Sequence, residues 1–561
     1  MSTDLFALRT RWQAVARGNA DPVLRVALLA SYTVDPLVPY LGLGLHDAGL
    51  PAAFTIGPFN QVVQQCLADD GFLAATRPDV LVVAQRPEEA GDPGPAGAEW
   101  VAELLAAAEA AVAAARRHGA LLAYVLPAVP PARPCGVGDA LDADGVAAAA
   151  TAVRERLRER LAADPWVLLV DAEEAVRAVG ARRAYHPALF RFAKIPYTEE
   201  VFAALGAAAA GLLSCWFGAG RRALVLDGDG LTGAAHLLPA LRELRAAGVR
   251  LALRAGGAGF WSTADAPELL TVLDGWVTDD RPLPDQLAEI AAELDVPVAQ
   301  LALTSTGNGG SDGPGAGAGA SSTGRDGPRR VQLGADPRAW ADELRAAGLT
   351  DRIPARRWTG GAPGRPAPAE APAGLSLDDF VASLDVRVEY APVAPDGVAA
   401  VAELVARAHD FALAPAPPAA ALADRAGDLL AVRVRDRLGD YGTAGLVGVD
   451  RAGDRWTVDV FSLSCPVLGK GVEAAVLREV ARRAGEAGAG EVLVRWTDTG
   501  RNGTARRFLS ELDAVVPADP AVRLRAARTG SGQVGAAADR VEPTVGATGP
   551  APAGEPAAVA R

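Results

Sequence analysis

Short, nearly apolar runs separated by long Ala- and Arg-rich stretches restrict the fold of this sequence more than any other feature. Residues 23–215 carry LRVALLAS (24–31), AAFTIG (52–57), DVLVVAQ (79–85), GALLAYVLPA (119–128) and WVLLVDA (166–172). Runs of this length with β-branched content are expected of strands buried on both faces. Helical stretches, notably 98–118 and 143–163, lie between several of them. The alternation predicts a parallel sheet covered by helices on both faces, with ligands at the carboxyl ends of its strands.

A second unit of the same kind begins at RRALVLDGDG (221–230). HLLPALRELRAAG (236–248) follows, with Leu237, Leu241 and Leu244 on one helical face and Gly248 placed as a stop. Then come VRLALRAG (249–256), a helical stretch near 264–273, a helix at 285–294, QLALTSTG (300–307) and a helix at 337–347. Residues 307–328 are Gly/Ala/Ser-rich and predict a disordered loop, and 354–377 a Pro/Ala/Gly linker. A third unit has a strand at VDVFSLS (458–464), a glycine-bearing turn at CPVLGKG (465–471), a helix at 472–488 and a strand at EVLVRW (491–496). The Gly/Ala/Pro-rich end, 521–561, is expected to be disordered.

The resulting division is 1–218, 219–353 and 378–520, within the three or four domains that roughly 100–200 residues apiece allow 561 residues. The net charge of −13 argues against nucleic-acid binding, which favours a basic face. Four dispersed cysteines form no C-x-x-C pair and suggest neither a zinc site nor a disulfide framework. No charge-free run of 18 apolar residues and no apolar leader is present, so no membrane span is expected and a cytoplasmic setting is the default. The composition leans to Ala, Arg, Gly and Pro, and the only lysines are Lys194 and Lys470.

VLDGDG sets Asp227 and Asp229 just past an apolar strand. A D-x-D so placed resembles the way haloacid-dehalogenase (HAD) phosphotransferases present a nucleophile and an acid/base, which implies phosphoryl transfer, and both carboxylates can help hold magnesium. Asp-Gly-Asp-Gly is equally good turn chemistry, and that alternative stays open. In the first unit, Ser31, Thr33 and Asp35 follow the first strand, where a nucleophilic serine or a simple loop or cap would sit. The late histidine there is His186, and no clear D-x-x-H precedes it.

Taken together, ASYTVDPLVPYLG (30–42), GPFNQ (57–61), FAKIPYT (192–198), DRLGDYG (436–442) and SCPVLGKGVE (464–473) resemble the FkbH-like family. The resemblance covers about residues 20–515. It implies three α/β domains: a flavodoxin/SGNH-like parallel sheet, a HAD-like Rossmannoid sheet and a GNAT-like mixed sheet. It also implies dephosphorylation of a phosphorylated three-carbon acid and loading of a glyceryl group onto an acyl carrier protein, in polyketide or nonribosomal peptide pathways.

Carried over residue by residue, the resemblance leaves the second domain incomplete. Asp227 and Asp229 match the first motif, but Gly230 stands for Asn, Leu231 for Thr, and the following W-G-G is missing. Ala255 and Gly256 replace a hydroxyl residue and a lysine. Leu283 stands at the phosphate-binding lysine, with Arg281 as the local cationic substitute, and Ser305 and Thr306 replace the metal-binding Asp-Asp. The expectation is a vestigial pair without magnesium or phosphatase activity.

In the third domain the resemblance assigns Val467, Leu468, Gly469, Lys470, Gly471 and Asn502 to coenzyme A or phosphopantetheine, at a strand–turn–helix junction that suits a pyrophosphate. Pro466 replaces an Arg, and His409 and Asp410 replace Asn-Gln. Cys465 is a packing residue or an acyl carrier. The expected partner is a carrier protein or a synthetase component. The alternative is a non-catalytic pseudoenzyme that binds a carrier protein or an active paralogue.

Overall fold

The computed structural model describes residues 4–18, 21–90, 97–131, 134–229, 231, 234–256, 266–306, 328–353, 376–512 and 523–528. The chain is α/β, with two five-stranded parallel sheets and one seven-stranded mixed sheet.

The first sheet comprises β1 (Leu24–Ala30), β2 (Ala52–Ile56), β3 (Val80–Ala84), β4 (Leu121–Leu126) and β5 (Val167–Asp171), in the order β2-β1-β3-β4-β5. All neighbours are parallel. β3 and β4 are buried along their whole length, which is why their sequences are continuous apolar runs. The order reverses between β1 and β3, so the crevice beyond their carboxyl ends is where a doubly wound sheet offers a ligand site. The helix Glu199–Trp216 is long and apolar enough to cross a membrane, but it lies on this sheet. Its Val201, Phe202, Leu205, Leu213 and Trp216 are buried in the core, each contributing on the order of 1.5–3 kcal/mol. Gly206 lets it approach closely: a Cβ there would lie 2.8 Å from Leu41 N.

The second sheet contains β6 (Ala223–Asp227), β7 (Arg250–Ala255), β8 (Gly275–Thr278), β9 (Leu301–Thr306) and β10 (Arg329–Leu333), in the order β10-β9-β6-β7-β8. Its switch point lies between β6 and β7 on one side and β9 on the other, at the end of β6. The helix expected over 236–248 is Leu238–Ala246 preceded by a 3₁₀ turn, and Gly248 ends it at φ 85°. Near 264–273 only Ala266–Leu269 is helical within the described residues.

The third sheet runs β11 (Arg387–Pro392), β13 (Leu429–Asp436), β14 (Gly439–Ala452), β15 (Arg455–Leu463), β16 (Glu491–Trp496) and β17 (Arg523–Arg528), with β12 (Phe411–Ala412) paired to β15. β11 to β15 are antiparallel, whereas β15, β16 and β17 are parallel. β16 accompanies β15 only from Arg455 to Val458. Beyond that the two diverge, and Phe411–Leu413 fills the gap: Leu413 N donates to Phe461 O, and Thr497 N donates to Leu413 O.

Two boundaries differ from expectation. β17 lies inside the stretch expected to be a disordered tail, in register with β16 from Glu491–Arg523 to Trp496–Arg528. The third domain also starts inside the expected linker, where Ser376 caps the helix Leu377–Ser383 by accepting from Asp379 N. The remaining parts of the 307–328 loop, the linker and the tail, with Gly230, lie outside the described residues, apart from Pro328.

Candidate functional sites

β6 delivers Asp227 to its carboxyl end, and the turn that follows presents Asp229. Asp229 N donates to Asp227 Oδ1 at 3.1 Å, so the two carboxylates face one crevice. Between them lies a group the sequence reading did not single out. Arg254, in register with Asp227 on the adjacent β7, places its Nη1 3.4 Å from Asp227 Oδ1 and donates from Nη2 to Asp229 Oδ2. Gly256 N donates to Asp229 Oδ1 at 2.8 Å, closing the ring. The signal was present in sequence: an arginine interrupts an otherwise apolar buried strand, LALRA, one strand away from an Asp.

Two carboxylates this close repel each other unless a cation lies between them, and Arg254 supplies it. A guanidinium is always charged and matches carboxylate geometry. Burial raises the Asp227 pKa, and Arg254 opposes that rise.

The other motif positions have structural duties. Leu231 is buried in the core with Leu226 and Leu237. Leu283 packs against the cluster that includes Val225. Arg281 pairs with Asp279 and Glu289. Ser305 Oγ donates to Gln332 Oε1 on β10 at 2.8 Å, and Thr304 Oγ1 accepts from Asp227 N. Among the described residues no cluster of three His, Cys, Asp or Glu side chains is placed to hold a metal. Two carboxylates bridged by an arginine do not fit a magnesium site, which needs near-octahedral oxygen donors.

In the third domain two of the motif stretches meet. Lys470 Nζ donates to Asp436 Oδ2 at 2.7 Å and contacts Tyr441 Oη at 2.6 Å, with both charged side chains almost wholly buried. Asp436 also accepts from Leu438 N and Gly439 N. Lys470, expected to face an anion, is thus an internal cation. The backbone of the turn is committed as well. Val467 N, Leu468 N and Gly469 N donate to Ser464 O, Cys465 O and Glu473 Oε1. Glu473 sits in the first turn of the helix Val472–Glu486, so its own carboxylate occupies the place an anion would take. Gly469, at φ 72°, is covered by the first domain: a Cβ there would lie 2.8 Å from Gln61 Oε1. Gly471, at φ 78°, begins that helix. The turn as placed does not fit a coenzyme pyrophosphate. Asn502 is buried and donates to Ala412 O and Thr497 O, clamping the segment that fills the β15–β16 gap.

In the first domain Ser31 is buried, and its Oγ accepts from Arg86 N at 2.9 Å. His186 Nδ1 accepts from Leu189 N and so caps the helix Pro187–Ala193. Thr33 Oγ1 donates to Ala193 O at 2.7 Å. These bonds make loop-shaping residues of them.

A cleft of about 850 Å³ lies where the carboxyl end of β1 faces the third domain. Thr33, Asp35 and Lys194 line one wall, and His409, Cys465, Pro466 and Arg501 line the other. Burial, and after it the nearby Asp410, push the Cys465 thiol pKa up. Asp410 itself accepts from Thr504 Oγ1 at 2.8 Å.

No family model matches the chain, and no curated protein does. Among solved structures it is similar to the N-terminal part of the protein BF1531 from Bacteroides fragilis, which contains a phosphatase domain complexed with Mg. The identity is 13%, over 63% of this chain and 99% of that one, at a TM-score of 0.45. A UDP-GlcNAc 2-epimerase from Neisseria meningitidis matches at 9% identity, over 50% and 81%, with a TM-score of 0.13. The GCN5-related glucosamine N-acetyltransferase region of a fungal multidomain GH3 β-N-acetylglucosaminidase matches at 10% identity, over 80% and 56%, also at 0.13.

Three outcomes are expected. Lys470→Met strands a buried carboxylate and costs about 3–5 kcal/mol in chemical denaturation, and adding Asp436→Asn recovers part of it. A loss under about 1 kcal/mol would deny the pair its structural role. Arg254→Ala costs about 1–3 kcal/mol, discounted because Asp229 is half exposed, and Asp229→Asn in the same background restores stability. Burial raises the Glu473 pKa, so the folded chain keeps that proton to higher pH than the unfolded one. The associated stability is complete below the ordinary carboxylate range and is lost as pH rises through the raised value. Glu473→Gln should therefore gain in Tm on wild type from about pH 5 to pH 8, and a constant difference would contradict this assignment.

Proposed function

We propose that this chain is an FkbH-like protein of polyketide or nonribosomal peptide-type metabolism. On this reading it handles glyceryl-like acyl groups on an acyl carrier protein or coenzyme A, in the cytoplasm, and its second domain is a scaffold rather than a phosphatase. The motif wording and the succession of two parallel sheets and a mixed sheet support the family reading. The observation that carries the loss of phosphoryl transfer is Arg254. Its guanidinium holds both carboxylates, so neither is free to attack phosphorus or to take a metal. Phosphoryl transfer depends on positioning and electrostatics, and one well-placed electrostatic group is worth on the order of 10²–10³ in rate. Here the lysine and metal-carboxylate positions are held by Leu283, Ser305 and Thr306.

A second reading is a non-catalytic protein that binds a carrier protein or an active paralogue. The closed glycine turn, with Glu473 on Gly469 N and Gln61 over Gly469, favours it over a coenzyme A-dependent acyltransferase.

Wild type and Asp227→Asn should release phosphate from 1,3-bisphosphoglycerate with magnesium at the same background rate. Magnesium-dependent release abolished by Asp227→Asn would overturn the scaffold assignment. Intact-mass measurement of a carrier protein incubated with the chain and an acyl donor separates the two readings: added acyl mass supports the transferase, and carrier binding without added mass supports the scaffold.

A further inference from the structure

The cleft between the first and third domains stands out in charge from the rest of the chain. The protein carries a net charge of −13, yet the cleft is lined by Arg191, Lys194, Arg407 and Arg501 against a single carboxylate, Asp35. Arg191 and Arg501 have no acidic partner among the described residues, Lys194 lies over the Phe190 ring, and Arg407 makes one loose pair with Glu403 at 3.6 Å. Exposed cations without partners keep their charge for a ligand, and their fields add across a concave surface.

The wall is built rather than incidental. Thr33 N donates to Lys194 O and Thr33 Oγ1 to Ala193 O, tying the loop after β1 to the end of the helix Pro187–Ala193. Lys194 adopts φ 55°, a left-handed conformation uncommon outside glycine, as it ends that helix. Two of the exposed large apolar side chains of the chain, Phe192 at 74% and Ile56 at 38%, line the same cleft. Cations and exposed apolar surface thus meet in a concave site beyond the carboxyl ends of β1 and β2.

We propose that this cleft binds an extended organic anion, with a phosphate or carboxylate head and an apolar or thioester body, between cations supplied by both domains. The assignment deepens the proposed function and rests on it for one point: the phosphopantetheine arm is the member of this ligand class that the function supplies.

Calorimetric titration of the full chain with hexyl phosphate and, separately, with 4′-phosphopantetheine tests the proposal. Removing two charge-assisted contacts should weaken hexyl phosphate binding about tenfold or more, both in Arg191→Ala/Lys194→Ala and in Arg407→Ala/Arg501→Ala. Arg387→Ala, on a distant exposed pair with Asp385, should leave binding unchanged, and added salt should weaken the wild type. All four cleft cations are at least partly exposed, so unchanged melting curves establish that the variants fold. No binding of hexyl phosphate, or weakening by only one pair, overturns the two-walled site. Binding of phosphopantetheine that both pairs leave intact also overturns it, while sparing the proposed function. Pair-dependent binding of hexyl phosphate without binding of phosphopantetheine upholds the site and removes the carrier arm as its ligand.

Discussion

A buried ion pair, Lys470 to Asp436, organises the third domain and its contact with the first. Asp436 ends β13, and Lys470 sits between Gly469 and the helix Val472–Glu486. Two charges leave water together only when the geometry is good and the remaining acceptor positions are filled. Here Tyr441, Leu438 N and Gly439 N complete the shell around the carboxylate. The pair fixes the glycine turn in a shape that Gln61 can cover. The N-terminal sheet and the mixed sheet thereby share a packed boundary, reinforced by the Arg437–Glu103 ion pair, with the cleft alongside it.

The second domain answers the same electrostatic problem differently. A crevice with two convergent carboxylates needs a cation. A divalent ion would bring affinity for phosphate oxygens and an exchangeable coordination shell, whereas a covalently attached guanidinium brings neutrality and a fixed shape. Arg254 supplies the second kind. Leu231 is buried in one apolar cluster of the domain and Leu283 packs against another. The domain's carboxylate pair is neutralised within the fold by a side chain of the neighbouring strand.

The legible part of the fold was the part buried on both faces. β3 and β4 of the first sheet are continuous apolar runs, β1 and β5 are nearly so, and all four were located within a residue or two. The edge strand β2 and the half-exposed β16 were legible too, but other strands that expose one face or an edge escaped notice. β10 (RRVQL) and β17 (RLRAAR) alternate charge with apolar residues, and the four residues of β8 are too few for a pattern. For the sites, Asp227 and Asp229 were readable because a strand must end where they stand. Arg254 was not, because its meaning depends on the parallel register that sets it beside Asp227. Lys470, Gly469 and Asn502 were read as facing a ligand. Their inward bonds to Asp436, Glu473 and Ala412 arise from contacts distant in sequence.

The scarcity of lysine has a chemical consequence. Of the two ε-amines in the chain, the one at position 470 is sealed in its ion pair, and the one at position 194 opens into the cleft. An amine-directed label therefore finds a single lysine, standing at the wall shared by two domains. The protein carries a built-in attachment point from which a fluorophore or crosslinker would sense whatever enters there.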